Sequence, residues 1–202
     1  MTEKQLLLVS LVIGTLAQLS NSCVKSVEPE TPQSVGAIYP MSLGNRWVSK
    51  QDTYDSTGIL MSSYTDTARV VGDTVIGGER WYYFTAGSHS YYTNRSDGQY
   101  SYVPAWSAQP FLDLKFPAQP GESYSIPYAL GTKKVLAIDA SASVPAGIYA
   151  CYIYRVPFSN DWQWDYYYSP GVGMVMSLGT RRHPGGSVTQ TIKVELLEAV
   201  IQ

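Results

Sequence analysis

The chain reads as an all-β domain, and three observations carry that expectation. Tyr and Trp, which favour strands, number 17 and 5 among 202 residues, while charged residues make up only 15%. Pro and Gly punctuate nearly every window after position 35, leaving no room for a long amphipathic helix. Short alternating runs recur instead, and the last is the clearest. Val188, Gln190, Ile192, Val194 and Leu196 share one face, with Thr189, Thr191, Lys193 and Glu195 on the other.

The first segment precedes the domain. Leu6 to Ala17 is an apolar run of about a dozen residues, whereas a membrane-spanning helix needs roughly 20, so it fits a signal-peptide core. Ser20, Asn21 and Ser22 follow, and then Cys23. A cysteine directly after such a stretch resembles the lipobox of bacterial lipoproteins, whose thiol is diacylated and whose chain is cut before the Cys. The resemblance implies a signal peptide over 1–22, a lipid anchor at Cys23 and a place in the bacterial cell envelope. Two or three acyl chains suffice to hold a protein on a membrane, since each buried methylene contributes about 0.8 kcal/mol. Ser20 stands where that family usually has Leu. Ordinary secretion is the alternative, with cleavage near Ala17 or Ser22 and a periplasmic or secreted product. Residues 23–34 hold Lys25, Glu28, Glu30 and two prolines without apolar periodicity, and read as a flexible tether.

The remainder, 35–202, is long enough for one domain that buries about 70% of its unfolded-chain surface. Gly77-Gly78 separates Asp73–Ile76 from Glu79–Thr85, and both glycines accept the positive φ of a type I′ hairpin turn. Asp97-Gly98 does the same between Tyr91–Thr93 and Gln99–Val103. The stretch from Pro104 to Pro127 is the least regular, with a short helix or lid expected over Trp106 to Leu114. Ile148–Tyr154 reads as a central strand around Cys151, and His183-Pro184-Gly185-Gly186 turns Met174–Leu178 into the final strand. Strands joined by short turns imply an antiparallel meander. A lone sheet must cover its apolar face, so a strongly curved sheet or barrel is expected, with a β-sandwich as the alternative.

Composition removes several function classes. Lys and Arg number 14 against 16 Asp and Glu, so no basic footprint for nucleic acid exists. Two cysteines make no disulfide framework, and Cys151 reads as a small buried hydrophobe. Without acylation of Cys23, a bridge between Cys23 and Cys151 becomes available in an oxidising envelope. His89 and His183 have no partner at metal spacing, so no metal or cofactor is expected. The sequence after Gly171-Val172-Gly173 is strand-like, which argues against a phosphate loop. A serine with His89 as base and Asp97 as orienter can be drawn, but no nucleophile elbow supports it. Asp161 and Asp165 would stand about 13 Å apart along one strand face, beyond the roughly 5 to 9.5 Å of paired glycosidase acids.

One segment carries a pointed message. In a strand over 160–168, Trp162, Trp164, Tyr166 and Tyr168 share a face, with Asp161, Gln163 and Asp165 opposite. Each aromatic buries about 150 to 250 Å², so four exposed together exceed the roughly 300 to 600 Å² of a typical monomer's largest patch. The stripe is therefore either core or a binding face, and rings flanked by carboxylate and amide groups suit carbohydrate.

Several pieces in order resemble a broad group of uncharacterised secreted proteins and lipoproteins of Bacteroidetes type. Tyr39-Pro40-Met41-Ser42-Leu43-Gly44-Asn45-Arg46-Trp47 is similar to their Tyr-Pro-x-x-x-Gly-x-x-Trp opening. Gly72–Gly78 leading to Trp81-Tyr82-Tyr83, Val144–Tyr149 with Cys151, Tyr167–Val175 with its Gly-Val-Gly, and Val194–Leu197 follow. The resemblance implies a fold and an envelope location and transfers no functional residues. The expectation is a non-enzymatic, lipid-anchored binding domain for glycan or a surface protein. The alternatives are an apolar-ligand carrier with a barrel cavity and, behind it, a hydrolase.

Overall fold

Turn chemistry cuts the chain into strands much as the pattern requires. A computed structural model describes residues 36–86, 89–104, 108–127, 131–158 and 161–202, with His89 described by its backbone only. The leader, Cys23, the tether and Trp106 lie outside the described residues. Twelve strands follow: β1 (Arg46–Asp55), β2 (Leu60–Ile76), β3 (Glu79–Thr85), β4 (His89–Arg95), β5 (Gly98–Tyr102) and β6 (Phe111–Lys115), then β7 (Ser123–Ser125), β8 (Thr132–Val144), β9 (Gly147–Pro157), β10 (Trp162–Ser169), β11 (Gly173–Arg182) and β12 (Val188–Val200). Gly77 and Gly78 take φ of 61° and 85° in the β2–β3 turn, the conformation that two adjacent glycines permit without strain. No helix occurs among the described residues. Phe111 to Leu114, expected in a short helix or lid, instead forms β6.

All pairs are antiparallel in one sheet, ordered β6-β5-β4-β3-β2-β1-β12-β11-β10-β9-β8-β7. The first and last strands pair at the centre, Arg46 opposite Val200, and the two sheet edges are the sequence neighbours β6 and β7. The fold is therefore the expected curved meander, and among the described residues it has neither hydrogen-bonded barrel closure nor the two sheets of a sandwich.

Side chains bridge the gap where backbone does not. The Tyr124 hydroxyl donates to Asp113 O at 2.9 Å and accepts from Lys115 N at 3.2 Å. Lys133 Nζ reaches Asp113 O at 2.8 Å, and the Tyr154 hydroxyl reaches Lys115 O at 2.6 Å. Long side chains from β7, β8 and β9 thus satisfy the backbone edge of β6. Behind this seam, Leu114, Phe116, Val135 and Tyr154 pack with Ile38 in one of two buried clusters.

The strap from Ala37 to Asn45 plugs the curl. Tyr39 lies edge-on to Trp47 at 4.7 Å and to Phe84 at 5.6 Å, and tilts against Tyr168 at 6.0 Å, so it touches both β3 and β10 across the sheet's interior. Gly173 makes room for it. A Cβ there would sit 2.3 Å from the Tyr39 ring, and its φ of 101° disfavours any side chain. Next to it, Trp47 Nε1 donates to Val172 O at 2.6 Å and Gly171 N to Ala37 O at 3.0 Å. Asn45, fully buried, donates to Pro40 O and accepts from Gln202 N, tying the last residue to the same corner. The Tyr-Pro opening and the Gly-Val-Gly segment are two halves of one joint.

Candidate ligand-binding site

Strand alternation places Trp162, Trp164, Tyr166 and Tyr168 on one face of β10, the interior one. Facing them in register are Val156, Tyr154 and Tyr152 of β9, and Gly179 and Ser177 of β11. The rings form a ladder. Trp162 and Trp164 lie 6.2 Å apart at 13°, Trp164 and Tyr166 5.9 Å apart at 17°, and Tyr166 and Tyr168 6.4 Å apart at 33°. Gly179 is what lets the ladder lie down, since a Cβ there would come within 2.7 Å of the Trp164 ring.

The two ends of the ladder differ. Tyr168 is walled in by Tyr39 and Tyr154, and burial raises its hydroxyl pKa well above the usual value, with Asp113 adding to the effect. Trp162 and Trp164, with Tyr166, Phe158 and Ile192, line a shallow groove of about 330 Å³ with almost no polar wall. Phe158 is 54% exposed at its rim.

Tyr166 connects this groove to a deeper cleft of about 220 Å³ between β4–β6 on one side and β8–β10 on the other. Its polar wall is made by Ser90, Tyr92, Ser101, Asp113, Lys133, Tyr166 and Tyr168. Lys133 Nζ lies 2.6 Å from Asp113 Oδ1, with side chains 6% and 23% exposed, so the pair is sunk in the wall. The Lys133 ammonium has three protons and spends two on Asp113, one on its carbonyl and one on its carboxylate. Burial first, then Asp113, raises the pKa of Tyr92, against the lowering effect of the neighbouring Ser90 and Ser101. Burial and Asp113 likewise push the Tyr166 hydroxyl up to about 12. These phenols stay protonated, which makes them donors as well as acceptors.

The expected flanking acids do not join the site. Asp165 is held by a bidentate bond from Arg155, 2.7 Å to each oxygen, and Asp161 accepts from Arg181 at 2.9 Å. Of the drawn triad, the His89 side chain lies outside the described residues, and Asp97 accepts from the Tyr100 hydroxyl at 2.8 Å. His183 accepts from Gly185 N within its exposed turn. Cys151 is a free, fully buried thiol whose pKa burial pushes up to about 11, so it is inert at neutral pH. Sequence reasoning missed Phe158, Ile192, Asp113 and Lys133, which come from four other strands or loops. Gly179 inside an otherwise regular strand was the readable signal of a close approach.

No protein-family model and no curated protein matches this sequence. Solved structures align over most of the chain. One is a candidate exported protein with a YmcC-like fold from Bacteroides fragilis NCTC 9343, 12% identical with a TM-score of 0.42 over 82% of this chain and 99% of that one. Another is a candidate lipoprotein from Parabacteroides distasonis ATCC 8503, 14% identical with a TM-score of 0.43 over 83% of this chain and 100% of that one.

Proposed function

We propose that this is a glycan-binding domain of the bacterial cell envelope, anchored through Cys23 and without enzymatic activity of its own. The observation that supports it is the aromatic ladder, open at Trp162 and Trp164, that runs into a cleft lined by hydroxyls and the Asp113–Lys133 pair. Sugar C–H faces carry slight positive charge and stack on electron-rich rings, while sugar hydroxyls need both donors and acceptors. The ladder offers the first and the cleft the second. A chain end entering the cleft would leave its next units on Trp164 and Trp162. The Leu6–Ala17 run and Cys23 support the envelope location.

Titration of the protein with a panel of neutral oligosaccharides, followed by tryptophan fluorescence, tests the reading. Trp162→Ala and Trp164→Ala should each weaken binding about tenfold, equivalent to about 1.4 kcal/mol, with the melting temperature kept within a few degrees. A panel without saturable binding removes the glycan. The second reading, a carrier of apolar ligand, draws on Phe158 and Ile192 in the same groove, and lipid found by mass spectrometry in purified protein would favour it.

A further inference from the structure

The β1–β2 hairpin is matched in length by β12 on one side but outruns β3 on the other, so β2 has a bare edge there among the described residues. Val70 N donates to Asn45 O at 2.9 Å, so Val70 turns its backbone groups towards β1. Alternate residues of a strand face opposite ways. Arg69 therefore faces β3, where it stands opposite Thr85. Thr67, Thr65 and Ser63 face the same way, but β3 pairs only from Arg69 to Ile76, and no strand lies opposite them among the described residues. Residues 60–66 are exposed, with Met61 at 65% and Tyr64 at 52%. The edge lacks the usual guards, since 60–68 contains no Lys, Arg or Pro and a single charge, Asp66. That carboxylate takes the outward Thr67 N–H at 2.7 Å, a local exposed bond that an incoming strand can replace.

We propose that this edge pairs with the same edge of a second copy, as an antiparallel two-fold ladder centred on Thr65. The sequence is self-complementary in that register. Thr65 meets Thr65, Ser63 meets Thr67 twice, and Tyr64 stands opposite Asp66. Cross-strand hydroxyl pairs are favourable, and no like charges stand directly opposed. A self-complementary edge closes on itself, so the product is a dimer and not a fibre. Asp66 competes for the Thr67 N–H and holds the association weak and reversible. This dimer uses the hairpin edge and owes nothing to the ligand-binding reading.

Sedimentation of the full chain carrying Cys23→Ser, from micromolar to millimolar concentration, tests it. The dimer fraction should rise with concentration, and Asp66→Ala should tighten association by about tenfold by freeing Thr67 N–H. Thr65→Lys places two ammonium groups face to face and should leave a monomer with unchanged far-ultraviolet circular dichroism. Thr65→Cys should give a disulfide-linked dimer on mild oxidation, Cys151 being buried. Monomer throughout for both the Cys23→Ser chain and the Asp66→Ala variant overturns the proposal, as does a dimer indifferent to Thr65→Lys.

Discussion

The two ends of the β10 stripe are the same kind of residue on the same face of one strand and are both half-buried, yet Tyr168 packs against the core while Trp162 lines the groove. Tyr168 packs there because the strap drives Tyr39 into the curl beside it, and Tyr154 meets its ring as well. Trp162 instead lines the groove with Trp164, Tyr166, Phe158 and Ile192. Strand periodicity assigns a face, but burial along that face is set by what the rest of the chain lays over it. The stripe is therefore both of the things its sequence allows, graded along about 20 Å of strand.

The largest expected effect comes from alkali, and it separates the closed end from the open one. Tyr39, Tyr92, Tyr124, Tyr154 and Tyr168 all have hydroxyls raised above the ordinary 10.0 by burial. Their contribution to stability is complete below pH 10 and is lost as pH rises further, because the unfolded chain releases those protons first. Each such phenol removes about 1.4 kcal/mol per pH unit, so a handful unfold the domain within about two units. Phenolate absorbance against pH should show exposed tyrosines titrating gradually and the rest in one cooperative step with loss of circular dichroism. A single smooth titration would mean the plug is not sealed.

Gly173→Ala comes next, at about 3 kcal/mol in urea unfolding, from the clash with Tyr39 and the positive φ together. The direct comparison follows. Tyr168→Ala should cost about 3 kcal/mol and Trp162→Ala about 1 or less, read by the same denaturation. Equal losses would make the whole stripe core and remove the groove. Gly179→Ala belongs with the smaller of these, at about 1 kcal/mol, because Trp164 at the half-open end can swing aside where Tyr39 cannot. Its readout is a shift in tryptophan emission with little change in melting temperature.

Much of this architecture was legible in the residues. The paired glycines at 77 and 78, the turn at His183–Gly186 and the buried Cys151 lie where local chemistry put them. Both motifs of the family resemblance were visible, but not that they touch, because Tyr39 and Gly173 meet only through the curl. Phe111 to Leu114 was misread as helix or lid because the Pro-rich surroundings hid a five-residue strand whose partners on one side are side chains. Asp113 and Lys133 were illegible for the same reason, since they meet only across the β6–β7 seam.

The central pairing of β1 with β12 has a kinetic consequence. Residues 46–115 and 123–200 are two six-stranded meanders whose hairpins close locally, and one ladder joins them. The Arg46–Glu198 ion pair on that ladder spans 152 residues of sequence. Closing a loop of that size costs about 4 kcal/mol of chain entropy before any contact returns it. The halves can form early as independent sheets, each with a bare edge, and the last strand to arrive is the latch that joins them. The Gln202 N–H bond to Asn45 Oδ1 fastens that latch beside the first strand, so β12 is held both by its ladder and by this buried side chain.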